Sequence, residues 1–123
     1  MTGKLCTILM PYYDAQNEKM SVKARPALVI GTADADDLTV LPVSRVTDSR
    51  RINGTYDIRV DPSEYPNTNL KAVSYIRTNK VYTANRKDVG NIICDLNAEY
   101  PELCKNVILL FDEYVADIKR NWT

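Results

Sequence analysis

The chain has 123 residues, with 16 basic and 16 acidic side chains and 45% hydrophobic residues. This length and composition predict one globular domain over residues 1–123, and they exclude a disordered or fibrous protein. No apolar run approaches the ~18 residues of a transmembrane helix, and the N-terminal apolar stretch is too short for a secretory signal. We therefore expect a cytoplasmic protein without a membrane partner.

Histidine is absent, and the three cysteines, Cys6, Cys94 and Cys104, form no CxxC pair. The absence of histidine excludes Ser-His-Asp and Cys-His triads as well as most zinc hydrolases. We expect no metal ion and no cofactor. Any acid–base chemistry then falls to carboxylates, tyrosines, lysines, arginines or hydroxyl groups.

Short apolar segments in the first half of the chain predict β-strands separated by polar loops. Strands are expected at Leu5–Met10, Pro26–Ile30 and Leu38–Val46. A polar loop is expected over residues 14–24, and an Asp-rich turn over residues 31–37.

The second half continues with short strands. Thr55–Val60 alternates apolar and polar residues, which predicts a half-buried strand with Asp57 on its polar face. Further strands are expected at 72–77 and 80–84, with a last candidate at 91–96.

The spacing of apolar residues then changes from that of a strand to that of a helix. From Pro101 to about Arg120 they recur at spacings of three and four. This spacing predicts one amphipathic helix, with Asn97 as a candidate N-cap and Pro101 tolerated in the first turn. Many short strands followed by one helix predict a mainly β (α+β) fold. We expect a small, curled antiparallel barrel with the C-terminal helix packed on it.

The net charge of zero conceals a basic middle segment. Residues 65–87 contain five basic side chains and no acidic one, whereas the flanking segments are acidic. Tyr65, Tyr75 and Tyr82 are interleaved with these cations. Cations for phosphates and rings for bases are typical of a nucleic-acid surface, although solvated strand faces have the same composition.

Arg25 stands where the polar loop enters the strand 26–30, and Ser44 stands near the end of the following strand. If the two strands pair, both side chains lie at one rim of the barrel. The planar guanidinium suits a phosphate oxygen, and a hydroxyl can bond to a ribose hydroxyl. The alternative is a surface arginine beside a serine that bonds its own backbone.

A later segment carries a second set of candidates. Tyr75, Arg77 and Asn79 alternate onto one face, where they could stack on a base, contact a phosphate and read a base edge. Arg50 and Arg51, in the polar loop that follows the third strand, either bind RNA or form part of a solvated turn.

Three segments resemble, in the same order, motifs of the MazF/PemK/Kid family of toxin–antitoxin ribonucleases. Lys23–Gly31 resembles the stretch K-x-R-P-A-L-V-I, and Pro42–Arg45 is similar to the strand end P-I-T-S. Tyr75–Arg86 resembles V-R-x-D-Q-x-R-T-x-D. With the terminal helix also in the family's place, the resemblance spans nearly the whole chain.

The resemblance implies a small SH3-like antiparallel barrel of the PemK/MazF type that forms a homodimer with an RNA groove along the interface. It implies metal-independent, sequence-specific cleavage of single-stranded RNA (mRNA) to a 2′,3′-cyclic phosphate and a 5′-hydroxyl. It also implies a cognate antitoxin whose acidic, disordered tail folds over the groove.

The resemblance also assigns roles to residues. Arg25, Ser44 and Arg77 match catalytic positions, and Thr47 is the alternative to Ser44 as the hydroxyl. The general base is not identified, because an arginine with a pKa above ~12 is poorly suited to that role. The residues expected to bind RNA are Arg45, Thr47, Arg50, Arg51, Tyr75, Asn79 and Lys80.

Three features depart from the family pattern. The opening R-G-D motif is absent, residues 17–21 replace a glycine-rich loop, and Asn79 stands where some members have an aspartate. These departures favour the alternative of a non-catalytic binding protein on the same barrel. Such a protein would be a gyrase-poisoning toxin or an RNA-binding regulator, since a fold does not determine a function.

Overall fold

The structure is a computed structural model that describes residues 1–122, and it consists of seven strands followed by two helices. The strands are β1 (Lys4–Asp14), β2 (Lys19–Thr32), β3 (Asp37–Ser44), β4 (Asp57–Val60), β5 (Ser74–Arg77), β6 (Tyr82–Asn85) and β7 (Val89–Asp95). The helices are α1 (Leu96–Glu99) and α2 (Pro101–Arg120), and single 3₁₀ turns occur at Ser49–Arg51, Pro66–Thr68 and Arg86–Asp88.

All strand pairs are antiparallel, in the order β4-β5-β3-β2-β1-β7, and β6 also pairs with β3. The sheet curls because β3 pairs with β2 along its length while its two ends pair with different strands, β6 and β5. The predicted small antiparallel barrel with a C-terminal helix is confirmed.

Two hydrophobic clusters lie on opposite faces of β1, β2 and β3. Alternation along β1 sends Leu5 to one cluster, and Cys6 and Ile8 to the other. The first cluster is closed by α1 and α2, which bury Leu96 and Val107 against the barrel. Fully burying a leucine or valine side chain contributes ~1.5–3 kcal/mol, so this helix face fixes α2 on the barrel.

The predicted loop over residues 14–24 is wrong. β1 and β2 instead form a long hairpin whose turn covers only residues 15–18, and the pairing continues to Asp14↔Lys19. The Asp14 carboxylate closes the turn by accepting hydrogen bonds from the backbone N–H groups of Gln16 and Asn17. Tyr13 and Met20, near the tip, are 61% and 64% exposed, so this part of the hairpin buries no apolar face.

The predicted N-cap of the terminal helix is also wrong. Asn97 lies inside α1, and Asp95 is the cap, accepting a hydrogen bond from the backbone N–H of Ala98. The helix is interrupted at Tyr100 (φ −137°, ψ 69°) because the residue before a proline is disfavoured in the α-helical region. α2 then begins at Pro101, where a missing N–H costs nothing.

Candidate active site

The pairing of β2 with β3 brings Arg25 and Ser44 to one rim of the barrel. Ala27 lies opposite Pro42, and extending that register by two residues places Arg25 opposite Ser44. Beyond Ala27 the ladder between these strands ends, while β3 continues to pair with β5, with Ser44 opposite Tyr75. The two strands therefore separate at Arg25 and Ser44 and leave an opening between them.

Two adjacent depressions meet at this opening, and Arg25, Ser44 and Arg45 line both. The first has a volume of about 560 Å³ and carries Lys23 and Lys71 in addition. Its floor is apolar, formed by the side chains of Pro26, Val43, Leu70 and Ile93. An apolar floor with cations at the rim suits a ligand that combines flat rings with phosphates.

The second depression has a volume of about 370 Å³ and is mainly polar. Beyond the three shared residues it is lined by Thr47, Asp48, Arg51 and Arg77, together with Val46. Together the two depressions form a groove, called here the basic groove, with Arg25 and Ser44 at its middle.

Arg25 has no acidic partner among residues 1–122. Its guanidinium instead lies over the ring of Tyr12, with the central carbon 6.0 Å from the ring centroid. Because a cation–π contact leaves the guanidinium N–H groups unused, they remain available to an anion in the basic groove.

Arg77 has the opposite surroundings. Its Nε donates to Asp57 Oδ1 at 3.0 Å, and its Nη2 donates to the carbonyl oxygen of Arg51 at 2.8 Å. The Arg77 side chain is 13% exposed and that of Asp57 is 0% exposed. Asp57 therefore lies on the predicted polar face of β4, opposite Arg77 of β5, and what the sequence does not indicate is the burial of its side chain by this pairing.

The two loop arginines also differ. Arg50 forms a two-point ion pair with Asp48 and lines neither depression, whereas Arg51 faces the second one. The Arg50 side chain and its backbone N–H, which both donate to Asp48, lower the pKa of that carboxyl group, with a smaller contribution from the charge of Arg51.

The structure thus brings together six of the predicted site residues and leaves four outside the basic groove. Inside it lie Arg25, Ser44, Arg45, Thr47, Arg51 and Arg77. Outside it lie Arg50, Tyr75, Asn79 and Lys80. The Asn79 side-chain oxygen is buried with no hydrogen-bond partner in the described part of the chain, so it does not face the groove as a base-reading group.

Sequence reasoning missed two residues that line the groove, Lys23 and Lys71, and also Tyr12, whose ring contacts Arg25. Lys71 belongs to the basic middle segment, so its charge was a signal that could have found it. The rest of that segment is dispersed, since Arg86 bonds the Ala35 carbonyl at 2.8 Å on another side of the barrel. Lys23 lay in the supposed loop, and only the hairpin register places it at the rim.

The described residues offer no metal site, because no three His, Cys, Asp or Glu side chains within 1–122 are grouped to hold an ion. The cysteines are free, and burial, followed by nearby carboxylates, raises the pKa of Cys94 to about 11. A thiol of that pKa is protonated at neutral pH and is not a nucleophile. The groove therefore offers guanidinium, ammonium and hydroxyl groups.

A family model described as PemK-like, MazF-like toxin of type II toxin–antitoxin system matches residues 6–111, which run from β1 into the first half of α2. No curated protein matches the chain. Neither helix of residues 1–122 has the length and apolarity needed to cross a membrane.

Proposed function

Because the chain belongs to the PemK-like, MazF-like toxins of type II toxin–antitoxin systems, we propose that it is a metal-independent endoribonuclease acting on single-stranded RNA. The observation that carries this proposal is an arginine that has no acidic partner within residues 1–122 and stands beside a hydroxyl, Arg25 and Ser44, at the middle of a basic groove. Such a pair suits a reaction at a phosphodiester, which needs anion stabilisation and proton transfer.

In the proposed reaction the ribose 2′-oxygen attacks its own phosphorus, and the bond from phosphorus to the 5′-oxygen breaks. The 2′-hydroxyl gives its proton to solvent water, and the leaving 5′-oxygen takes one from Arg25, which water then reprotonates, so the products are a 2′,3′-cyclic phosphate and a 5′-hydroxyl. Arg25 stabilises the extra negative charge on the phosphate oxygens and donates the proton, and Ser44 bonds the ribose hydroxyl. Thr47, on the wall of the second depression, is the alternative hydroxyl.

The shape of the basic groove supports a single strand rather than a duplex. The apolar floor of the first depression accepts an unstacked base, while Lys23, Arg45 and Lys71 meet the backbone phosphates on that side. Arg51 supplies a cation on the other side. Phosphates on both sides of Arg25 would hold the scissile bond at the middle.

The partner class follows from family membership, since a type II toxin acts with an antitoxin protein. We propose that the antitoxin presents an acidic segment to the basic groove, and that the toxin works as a homodimer in the cytoplasm. Complex formation should weaken as salt rises, because charge pairing contributes to it. Binding that does not respond to salt would contradict this assignment of the groove as the antitoxin site.

A second candidate is a protein that binds RNA or gyrase without cutting. Within residues 1–122 the only carboxyl group lining either depression is that of Asp48. Its lowered pKa, caused first by Arg50, makes it a weak base. The lack of an evident carboxylate base is the observation that favours this candidate.

One experiment separates the two candidates. The purified, antitoxin-free protein is incubated in EDTA with a long single-stranded RNA, and cleavage positions are read by primer extension. Recurrent cuts, with 5′ ends that accept an adapter only after phosphorylation, would support the ribonuclease. A 2′-O-methyl RNA of the same sequence is the control, because its blocked 2′-oxygen cannot attack. Intact RNA with folded protein would support the non-cutting candidate.

A further inference from the structure

The wall of the second depression is a loop with little local structure of its own. Residues 48–53 contain a single 3₁₀ turn, Ser49–Arg51, which buries no side chain. Asp48 caps that turn by accepting from the backbone N–H of Arg50 at 3.0 Å. One exposed turn with one cap is weak local structure, so the position of Arg51 depends on contacts with other elements.

Some of the contacts that hold this loop are local to Asn53. Its carbonyl oxygen accepts from the Asp57 N–H at 3.0 Å, and its Oδ1 accepts from the N–H groups of Thr55 and Tyr56. The side-chain contacts that reach the loop from β4 and β5 come from one buried ion pair. Asp57 Oδ1 accepts from Arg77 Nε at 3.0 Å, while Asp57 Oδ2 accepts from the backbone N–H of Asn53 at 2.9 Å. Arg77 Nη2 donates to the carbonyl oxygen of Arg51 at 2.8 Å. The pair therefore holds the loop at two backbone points, one on each side of Ile52, and we call it the loop clamp.

The loop clamp leaves Arg77 poorly placed to contact a phosphate itself. Two of its donor groups are committed to the protein, and its side chain is only 13% exposed. Arg51, in contrast, is exposed, and its guanidinium has no acidic partner in residues 1–122. Fixing the Arg51 carbonyl sets the direction from which this free guanidinium enters the groove.

We propose that Asp57 is a positioning residue for RNA binding, acting through Arg77 and the backbone of the 48–53 loop to hold Arg51 against the backbone of the bound strand. Arg77 is then a positioning residue as well, rather than a catalytic one. This inference rests on the proposed function for its RNA part, whereas the clamp itself consists of contacts within the protein.

A charge-neutral variant tests the clamp at constant side-chain volume. Asp57→Asn keeps an oxygen for Arg77 but loses the second acceptor, because an amide NH₂ cannot accept from the Asn53 N–H. Asp61→Asn is the control, since Asp61 also pairs with an arginine, Arg59 at 3.3 Å, but in a more exposed contact outside the groove. Thermal unfolding of both variants confirms that they are folded.

The first readout needs no RNA. Hydrogen exchange at the Asn53 amide should accelerate about tenfold or more in Asp57→Asn, since a hydrogen bond to a charged acceptor is lost, and should be unchanged in Asp61→Asn. Unchanged exchange at Asn53 in Asp57→Asn would overturn the inference, because the loop would then hold itself.

The second readout is the affinity for a 2′-O-methyl RNA at several salt concentrations. Asp57→Asn should raise Kd about five- to tenfold. It should also reduce the slope of log Kd against the logarithm of the salt concentration by about 0.7, the value for one phosphate contact on a single strand. Arg51→Ala should do the same, and adding Asp57→Asn to Arg51→Ala should change nothing further. A further loss in the double variant would overturn the inference and return Arg77 to direct contact with the phosphate.

The two proposals fail in different ways. If the wild type binds RNA but does not cut it, the ribonuclease is wrong, and the binding cycle still decides the role of Asp57. If the wild type binds no RNA at all, the RNA role of the loop clamp is overturned together with the proposed function. Exchange at Asn53 then reports only on the architecture of the loop.

Discussion

Arg25 and Arg77 stand on the same groove in opposite surroundings. Arg25 has no acidic partner in residues 1–122 and its guanidinium lies over the face of Tyr12, whereas Arg77 is buried against Asp57 and bonds the Arg51 backbone. An arginine that is already paired has little left to offer a substrate, while an unpaired one at a groove is poised for an anion. Their surroundings, more than their positions in a motif, separate a chemical role from an architectural one.

The largest expected effect comes from removing the unpaired arginine. Arg25→Ala should lower kcat for RNA cleavage about 10²–10³-fold, or about 3–4 kcal/mol, because a preorganised charge at the phosphate is lost. The unfolding free energy should change little, since no hydrogen bond of the folded protein is broken. Arg59→Ala, at an exposed arginine outside the groove, is the control. An equal loss of kcat in Arg25→Ala and Arg59→Ala would contradict the chemical role of Arg25.

The next effect is on stability rather than chemistry. Asp57→Ala leaves the buried Arg77 guanidinium without its carboxylate, and breaking a buried pair in this way costs about 3 kcal/mol or more. For a domain of this size that lowers Tm by on the order of 10 °C. Replacing both residues, as in Asp57→Ala with Arg77→Met, should recover part of the loss. Calorimetry that finds less than about 1 kcal/mol for Asp57→Ala would mean that the pair is solvated.

A smaller effect tests what orients Arg25. Tyr12→Leu removes the ring and should lower kcat/KM about two- to fivefold, the size of a partly exposed cation–π contact. The same change in an Arg25→Ala background should have no further effect. Tyr13→Leu is the control, because Tyr13 points to the opposite face of the hairpin and is 61% exposed. An undiminished effect without Arg25 would show that Tyr12 contacts RNA on its own.

The smallest effect concerns the surface pair of Asp48 and Arg50. Because the Arg50 contact lowers the pKa of Asp48 in the folded state, the stabilisation is present above the unfolded pKa of about 3.9 and is lost as pH falls through the folded value. Asp48→Asn keeps an N-cap but removes the charge. Denaturant unfolding should show the variant slightly less stable at pH 7, and equal to the wild type in strong acid. If the difference in unfolding free energy between Asp48→Asn and the wild type persists in strong acid, its cause is the change of N-cap rather than the loss of charge.

The barrel could be predicted because its strands carry local signals. Leu5–Met10 is a mainly apolar run ended by Pro11, and Leu38–Val46 is rich in leucine and valine, and these segments form most of β1 and β3. The hairpin over residues 14–24 could not be predicted in this way. It extends past the barrel with neither a buried face nor a hydrophobic period, so only pairing between the two strands, a non-local property, defines it.

The site was predictable in part for the same reason. Arg25 and Ser44 lie at the ends of strands that the sequence identifies. Because consecutive strands such as β2 and β3 commonly pair, the proximity of these two residues could be predicted. The burial of Asp57 does not follow, because alternation assigns a charged residue to the polar face and contains no information about a partner 20 residues away. The contrast between Arg50 and Arg51 is likewise a matter of one local contact, the Asp48 carboxylate, which composition cannot show.

The terminal helix also reaches the loop clamp. Tyr114 packs edge-on against Tyr56 with ring centroids 5.5 Å apart, and the Tyr56 hydroxyl donates to the Asp117 carboxylate. Tyr56 immediately precedes Asp57, and its carbonyl oxygen accepts from the Thr78 hydroxyl at 2.6 Å, next to Arg77. α2 therefore braces the residues on both sides of the clamp.

This arrangement sets an order of events during protein synthesis. A ribosome translates every strand of the barrel, and with them Arg25, Ser44 and the whole loop clamp, before it reaches Tyr114 and Asp117. A nascent chain at that stage contains all the groove residues but lacks the helix that steadies one wall. The groove wall that carries Arg51 is therefore braced only once α2 has been made and has packed against Tyr56.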